Sequence, residues 1–227
     1  MVLKKRSIKI IIGGVGVGLL LGIVRSVFGI NEALFMQYYW ITGGAIIVGV
    51  VLVSILYFNS YRKKMQKAVT LLEEGKTTEY IDTMEILLQK ARGRHLKNVI
   101  RIDLSAGYCD LKQFDKAIQI LEGLSEEKLT GELKMIQRLN LCLCYFRTCQ
   151  ASRAVELYEA SQKDFRSFRK LSFYGGNFAV LDMLTAIEKG QLEYAEKILE
   201  TAKKTWNTPR LQNDYLYIEE LLSSKKN

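Results

Sequence analysis

The chain has 227 residues, 48% of them hydrophobic, with one proline, one histidine and four cysteines. Lysine and arginine number 33 against 24 aspartate and glutamate, a net charge of +9, of which residues 1–60 supply five basic side chains and one acidic. A lone histidine argues against a His-rich metal site, and the excess of +5 left beyond residue 60 is too small to call for nucleic acid.

Two apolar runs fill the first sixty residues and predict membrane helices at about residues 8–28 and 38–58. A helix needs ~20 residues to cross ~30 Å of hydrocarbon, and Tyr38 to Phe58 is 21 residues without a charge. The first run, from Ile10, reaches that length if Arg25 snorkels. Lys4, Lys5, Arg6 and Lys9 precede the first span and Arg62, Lys63, Lys64 and Lys67 follow the second, while the loop between offers only Arg25 and Glu32. Positive flanks stay on the cytoplasmic side, so both termini are expected there, with the four flanking cations 62–67 against anionic lipid headgroups. Tyr38, Tyr39 and Trp40 at one end of the second span and Tyr57, Phe58 and Tyr61 at the other suit two interfacial layers. A cleaved signal peptide is the competing account of the first run, but no small-residue cleavage site follows it.

Small residues recur along both spans, at Gly14, Gly18 and Gly22 in the first and at Ala45 and Gly49 in the second. Such stripes let backbones approach where lipid supplies no hydrophobic drive, so they predict packing of span on span or of one copy on another. No ionisable residue lies deep in either span, which argues against a transport path.

Residues 61–227 predict one all-helical domain, since apolar residues recur there at helical spacing in short blocks broken by polar turns. Four of the turns lead into similar text. Aligned on it, Tyr80, Ala117, Ala154 and Ala195 take equivalent places at spacings of 37, 37 and 41 residues. Ser105 and Tyr108 before Ala117, and Cys142 and Tyr145 before Ala154, set a small residue and an aromatic in a first helix and a small residue early in a second.

That pattern resembles the tetratricopeptide repeat, a helix-turn-helix unit that stacks into a superhelix. The likeness covers about residues 62–205; Arg101 and Arg138 stand where the family has a large apolar residue, and the proline that closes each unit is missing. A lone helical hairpin cannot bury both faces, whereas stacked ones can. After Thr208 and Pro209, the stripe Leu211, Tyr215, Ile218 and Leu222 predicts a helix that caps the stack. The resemblance implies that first helices line a concave groove for a peptide or amphipathic helix. Carried onto this sequence, the groove receives Ile102, Ala106 and Cys109, then Leu139, Leu143 and Phe146, then Val180, Leu184 and Ile187.

Nothing in the sequence predicts catalysis, a metal or a cofactor. Cys142, Cys144 and Cys149 sit close in sequence, but on a helix positions 142 and 144 point about 200° apart, and reduced thiols packed between helices are expected. His95, in a basic turn, is expected in solvent. Gly175 and Gly176 form the one glycine pair beyond the spans; with no Lys-Ser or Lys-Thr after them, a helix start or a close helix contact is expected over a phosphate cradle. The reading is a bacterial inner-membrane adaptor that gathers a protein partner on the cytoplasmic face. An oligomerising structural protein, or an enzyme with a dispersed site, is the alternative.

Overall fold

The structure is a computed structural model that describes residues 22, 23, 25–27, 29, 31–124 and 129–226. Among the described residues every regular element is helical, with no strand. Two units divide the chain, Met1–Ser60 and Tyr61–Asn227.

The first unit is dominated by the start of α1, Glu32–Glu73. Asn31 caps this helix, its side-chain oxygen accepting the Ala33 amide at 2.9 Å. Arg25 pairs with Glu32 at 2.9 Å, so the two charges between the expected spans neutralise each other. Within the apolar stretch the Ser54 hydroxyl donates to the Val50 carbonyl at 2.8 Å. By length and composition α1 is able to cross a membrane. Of the first expected span only residues 22, 23 and 25–27 are described, and they are helical; the rest, with Gly14 and Gly18, lies outside the described residues. Gly22 and Gly49 have open space beside them among the described residues, and Ala45 is exposed.

The second unit begins with the last turns of α1, which bury Tyr61, Met65 and Ala68. Then come α2 Thr77–Lys90, α3 Arg94–Asp110, α4 Phe114–Glu122, α5 Gly131–Arg147, α6 Ala151–Ala160, the short α7 Gln162–Phe165, α8 Ser172–Glu188, α9 Leu192–Thr205 and α10 Pro209–Lys226. From α2 to α7 each helix packs on the next, as do α8, α9 and α10, while α3 on α5, α5 on α8, and α8 on α10 form a second set of contacts. This is a stack of helical hairpins. Its inner layer is α3, α5, α8 and α10; α4, α6 and α9 form the outer one.

Each hairpin closes on the same turn. Gly75, Lys112, Cys149 and Gly190 have φ of 76°, 57°, 56° and 74°. The next residue in each case, Lys76, Gln113, Gln150 and Gln191, donates its amide back to Leu71, Tyr108, Tyr145 and Ala186 at 2.8 to 3.0 Å. That is a left-handed helix cap, which satisfies a carbonyl the helix end would leave unpaired. The second helix starts at the very next residue, and its fourth residue is Tyr80, Ala117, Ala154 or Ala195. All four are at most 1% exposed; at three of the turns the alanine lets the two helices approach closely, and at the first the Tyr80 ring fills that place.

A polar clamp repeats as well. Tyr108 donates to Glu85 at 2.9 Å beneath Lys116, and Tyr145 donates to Glu122 at 2.6 Å beneath Arg153. Burial and the bond to Glu122 push the Tyr145 hydroxyl up to about 12, and the bond from Tyr145 and the nearby Arg153 hold Glu122 below the usual carboxylate range. The longer final spacing falls in the connection 161–171, which contains α7. Asp164 of α7 receives Arg138 at 2.7 Å and Lys134 at 2.9 Å. Arg138, one of the two cations that interrupt the expected apolar pattern, is therefore held by a carboxylate of this connection.

Candidate functional site

The inner helices carry the residues expected to line a groove, and most of those are covered. Ile102, Leu139, Val180, Leu184 and Ile187 are 1–3% exposed and Phe146 is 9%. Ala106, Cys109 and Leu143 are half-buried. The cover over the third set is the C-terminal helix. Its stripe Leu211, Tyr215, Ile218 and Leu222 is buried, and the Tyr215 hydroxyl donates to the Trp206 carbonyl at 3.0 Å. Beyond α8, α10 also reaches α5: Asp214 pairs with Arg147, whose guanidinium lies 3.6 Å from the centre of the Tyr217 ring. Tyr217 donates to the Phe146 carbonyl at 3.4 Å.

Gly175 and Gly176 make this closure possible. A Cβ on Gly175 would lie 2.4 Å from the Trp206 ring, and one on Gly176 would lie 2.4 Å from Leu211. The pair is a close helix contact, which leaves no cradle for a phosphate.

What stays half-open is a narrow stripe at i, i+4 and i+7 on two helices: Val99, Asp103 and Ala106 on α3, and Ile136, Asn140 and Leu143 on α5. Asn177 of α8 holds the place equivalent to Ile136. Asp103 is the one ionisable side chain of this stripe, and burial pushes its carboxyl from 3.8 up to about 6. Among the described residues no cation pairs with it. Its charge is felt by Tyr174 at the start of α8, whose hydroxyl burial, a 2.6 Å bond to Glu132 and Asp103 all hold protonated. Asp103, Asn140 and Asn177 were not expected as site residues. The visible signal was an acid inside the otherwise apolar spacing Val99, Asp103, Ala106.

Sulfur lies beside the stripe. Cys109 and Cys144 approach to 3.2 Å between α3 and α5. Contact with Cys109 and burial raise the Cys144 thiol, and burial pushes Cys142 up to about 12, so both stay protonated. Cys149 is exposed, and among the described residues no group of three metal-binding side chains converges. His95 is exposed, as are Arg62, Lys63, Lys64 and Lys67 after the span.

No family model matches the sequence, and neither does any curated protein. Among solved structures the chain is similar to the crystal structure of Bacillus thuringiensis PlcR in its apo form, with a TM-score of 0.55 and 12% identity over 86% of this chain and 74% of that one. At that identity the likeness establishes a shared helical fold and nothing finer.

Proposed function

We propose that the protein is a non-enzymatic adaptor, anchored in a bacterial inner membrane by its apolar N-terminal segment, with helical repeats that hold a protein partner on the cytoplasmic face. The observation that carries this reading is Asp103, an acid with no paired cation among the described residues, at the centre of a half-buried stripe on the inner face. Burial of a carboxylate without a cation is costly, so a partner that brings a lysine or arginine to this point recovers the lost interaction. Val99, Ala106, Ile136 and Leu143 around it suit the apolar side of an amphipathic helix, whose polar side meets Asn140 and Asn177. Anchoring raises the local concentration of both proteins, so a short stripe suffices.

The test is a photo-crosslinking residue in place of Leu143 in the full chain, irradiated in native membranes. A discrete adduct is expected, and Asp103→Lys should abolish it while the helical circular dichroism and melting of the protein persist. Absence of any adduct with the protein folded overturns the reading.

A second reading has its own observation. Gly43, Gly44 and Gly49 leave the small-residue side of α1 with nothing within 4 Å among the described residues, as an oligomerising helix would. Gly49→Leu separates the two: an assembly built on α1 dissociates in mild detergent, whereas an adaptor keeps its crosslinked partner.

A further inference from the structure

Antiparallel hairpins send the two ends of every helix to opposite edges of the second unit. One edge holds the hairpin turns, where acids such as Glu73, Asp110 and Asp115 are exposed beside the cations Lys76, Lys112 and Lys189. The other edge holds the connections between hairpins and the starts of the inner helices. Lys90, Arg92 and Arg94 are exposed in the first connection, and Arg62, Lys63 and Lys64 are exposed where the unit begins. The connection at 123–130 differs, with Glu126 and Glu127 against Lys128 in its sequence.

The connection 161–171 and the first residues of α8 add apolar side chains to that charge. Lys163, Arg166 and Lys170 are exposed, and among the described residues none pairs with a carboxylate, whereas the nearby Arg169 is committed to Asp182 at 2.6 Å. Between and beside them Leu171 is 47% exposed and Phe173 is 83% exposed. The rigidity comes from beneath: Phe165 is fully buried, and Tyr174, the neighbour of Phe173, is 8% exposed. A folded protein gains nothing from holding a phenylalanine ring in water on a fixed platform. Cations flanking a protruding aromatic match a surface that is anionic outside and apolar just beneath, which is the headgroup layer of a bilayer.

We infer that residues 163–173 form a lipid-docking edge that seats Leu171 and Phe173 among the headgroups of an anionic membrane, with Lys163, Arg166 and Lys170 against the phosphates. The occupant is the bilayer and not a soluble phosphate, because two exposed apolar side chains have no role in binding a free anion. The inference takes from the adaptor reading only the nearness of a membrane.

The experiment uses the full chain in vesicles of phosphatidylcholine alone or mixed with phosphatidylglycerol. An environment-sensitive fluorophore is attached at Phe173→Cys, or at Asp115→Cys on the opposite edge, in a Cys149→Ser background, and spin-labelled lipid is the quencher. Quenching at 173 but not at 115, only with phosphatidylglycerol, is expected. Changing Lys163, Arg166 and Lys170 to glutamine should weaken docking about fivefold per charge. No quenching at 173, or quenching that inorganic phosphate removes at constant ionic strength, overturns the inference, as does protection of the probe by cytoplasmic extract in place of lipid. An alkaline carbonate wash on the same vesicles reports the anchor separately. A chain that stays embedded yet shows no quenching loses the docking edge alone. One that washes off yet is quenched before the wash loses the anchor alone.

Discussion

Asp103 is where a single residue ties stability to function. Its carboxyl is raised from 3.8 to about 6 by burial, so between about pH 4 and 6 the folded state binds this proton more tightly than the unfolded chain does. Its contribution to stability is therefore present below pH 4 and lost as pH rises through 6. Asp103→Asn should raise the unfolding free energy at pH 8 by on the order of 1–2 kcal/mol, allowing for partial exposure, and change little at pH 4. Denaturant titrations at the two pH values measure it. An equal effect at both would remove burial as the cause and weaken the case for a cationic partner.

Backbone strain is the other effect at this scale. Lys112 and Cys149 hold φ of 57° and 56° in turns where the other two hairpins use glycine. A side chain in the left-handed region costs about 1 kcal/mol, so Lys112→Gly and Cys149→Gly should each stabilise by about 0.5–1 kcal/mol. For a unit of this size that is about 2–4 °C of melting temperature per kcal/mol. Both substitutions failing to raise the melting point would mean that contacts of the native side chains outweigh the strain.

Among the elements, the last inner helix decides how much of the inner face remains open. Its seat depends on Gly175, because a methyl there would overlap the Trp206 ring at 2.4 Å. Gly175→Ala should cost about 1–3 kcal/mol through overpacking, and less in a Trp206→Ala background, where the ring is gone. A full cost in both backgrounds would place the origin in α8 itself. Repeat text shows this dependence only faintly. The sequence has a glycine pair and a capping stripe, and each is locally legible; their meeting joins residues far apart along the chain.

Across the whole molecule, the chain combines a helix able to cross a membrane with a stack of hairpins that has its own core. If the repeats face the cytoplasm, Cys149 should escape an impermeant maleimide on intact cells and react once the cells are opened, while buried Cys142 and Cys144 stay unlabelled in the native state. Labelling of Cys149 on intact cells would invert the topology.

Helix type, hairpin register and the equivalence of Tyr80, Ala117, Ala154 and Ala195 were legible because they depend on spacing along the chain. Periodicity of apolar residues reports which side of a helix is buried, and a left-handed cap needs only a few neighbouring residues. Which inner positions stay open was decided by the tertiary structure. Ile102, Leu139, Phe146, Val180, Leu184 and Ile187 carry the same apolar signal whether they meet a partner or their own fold, and α10 covering α8 and reaching α5 settles the matter for the last of them. The same holds for charge. Sequence shows that Asp103 and Asp164 are acids, but only the packing pairs Asp164 with Arg138 and leaves Asp103 half-buried with no paired cation among the described residues, because pairing depends on distances between segments that no local pattern encodes.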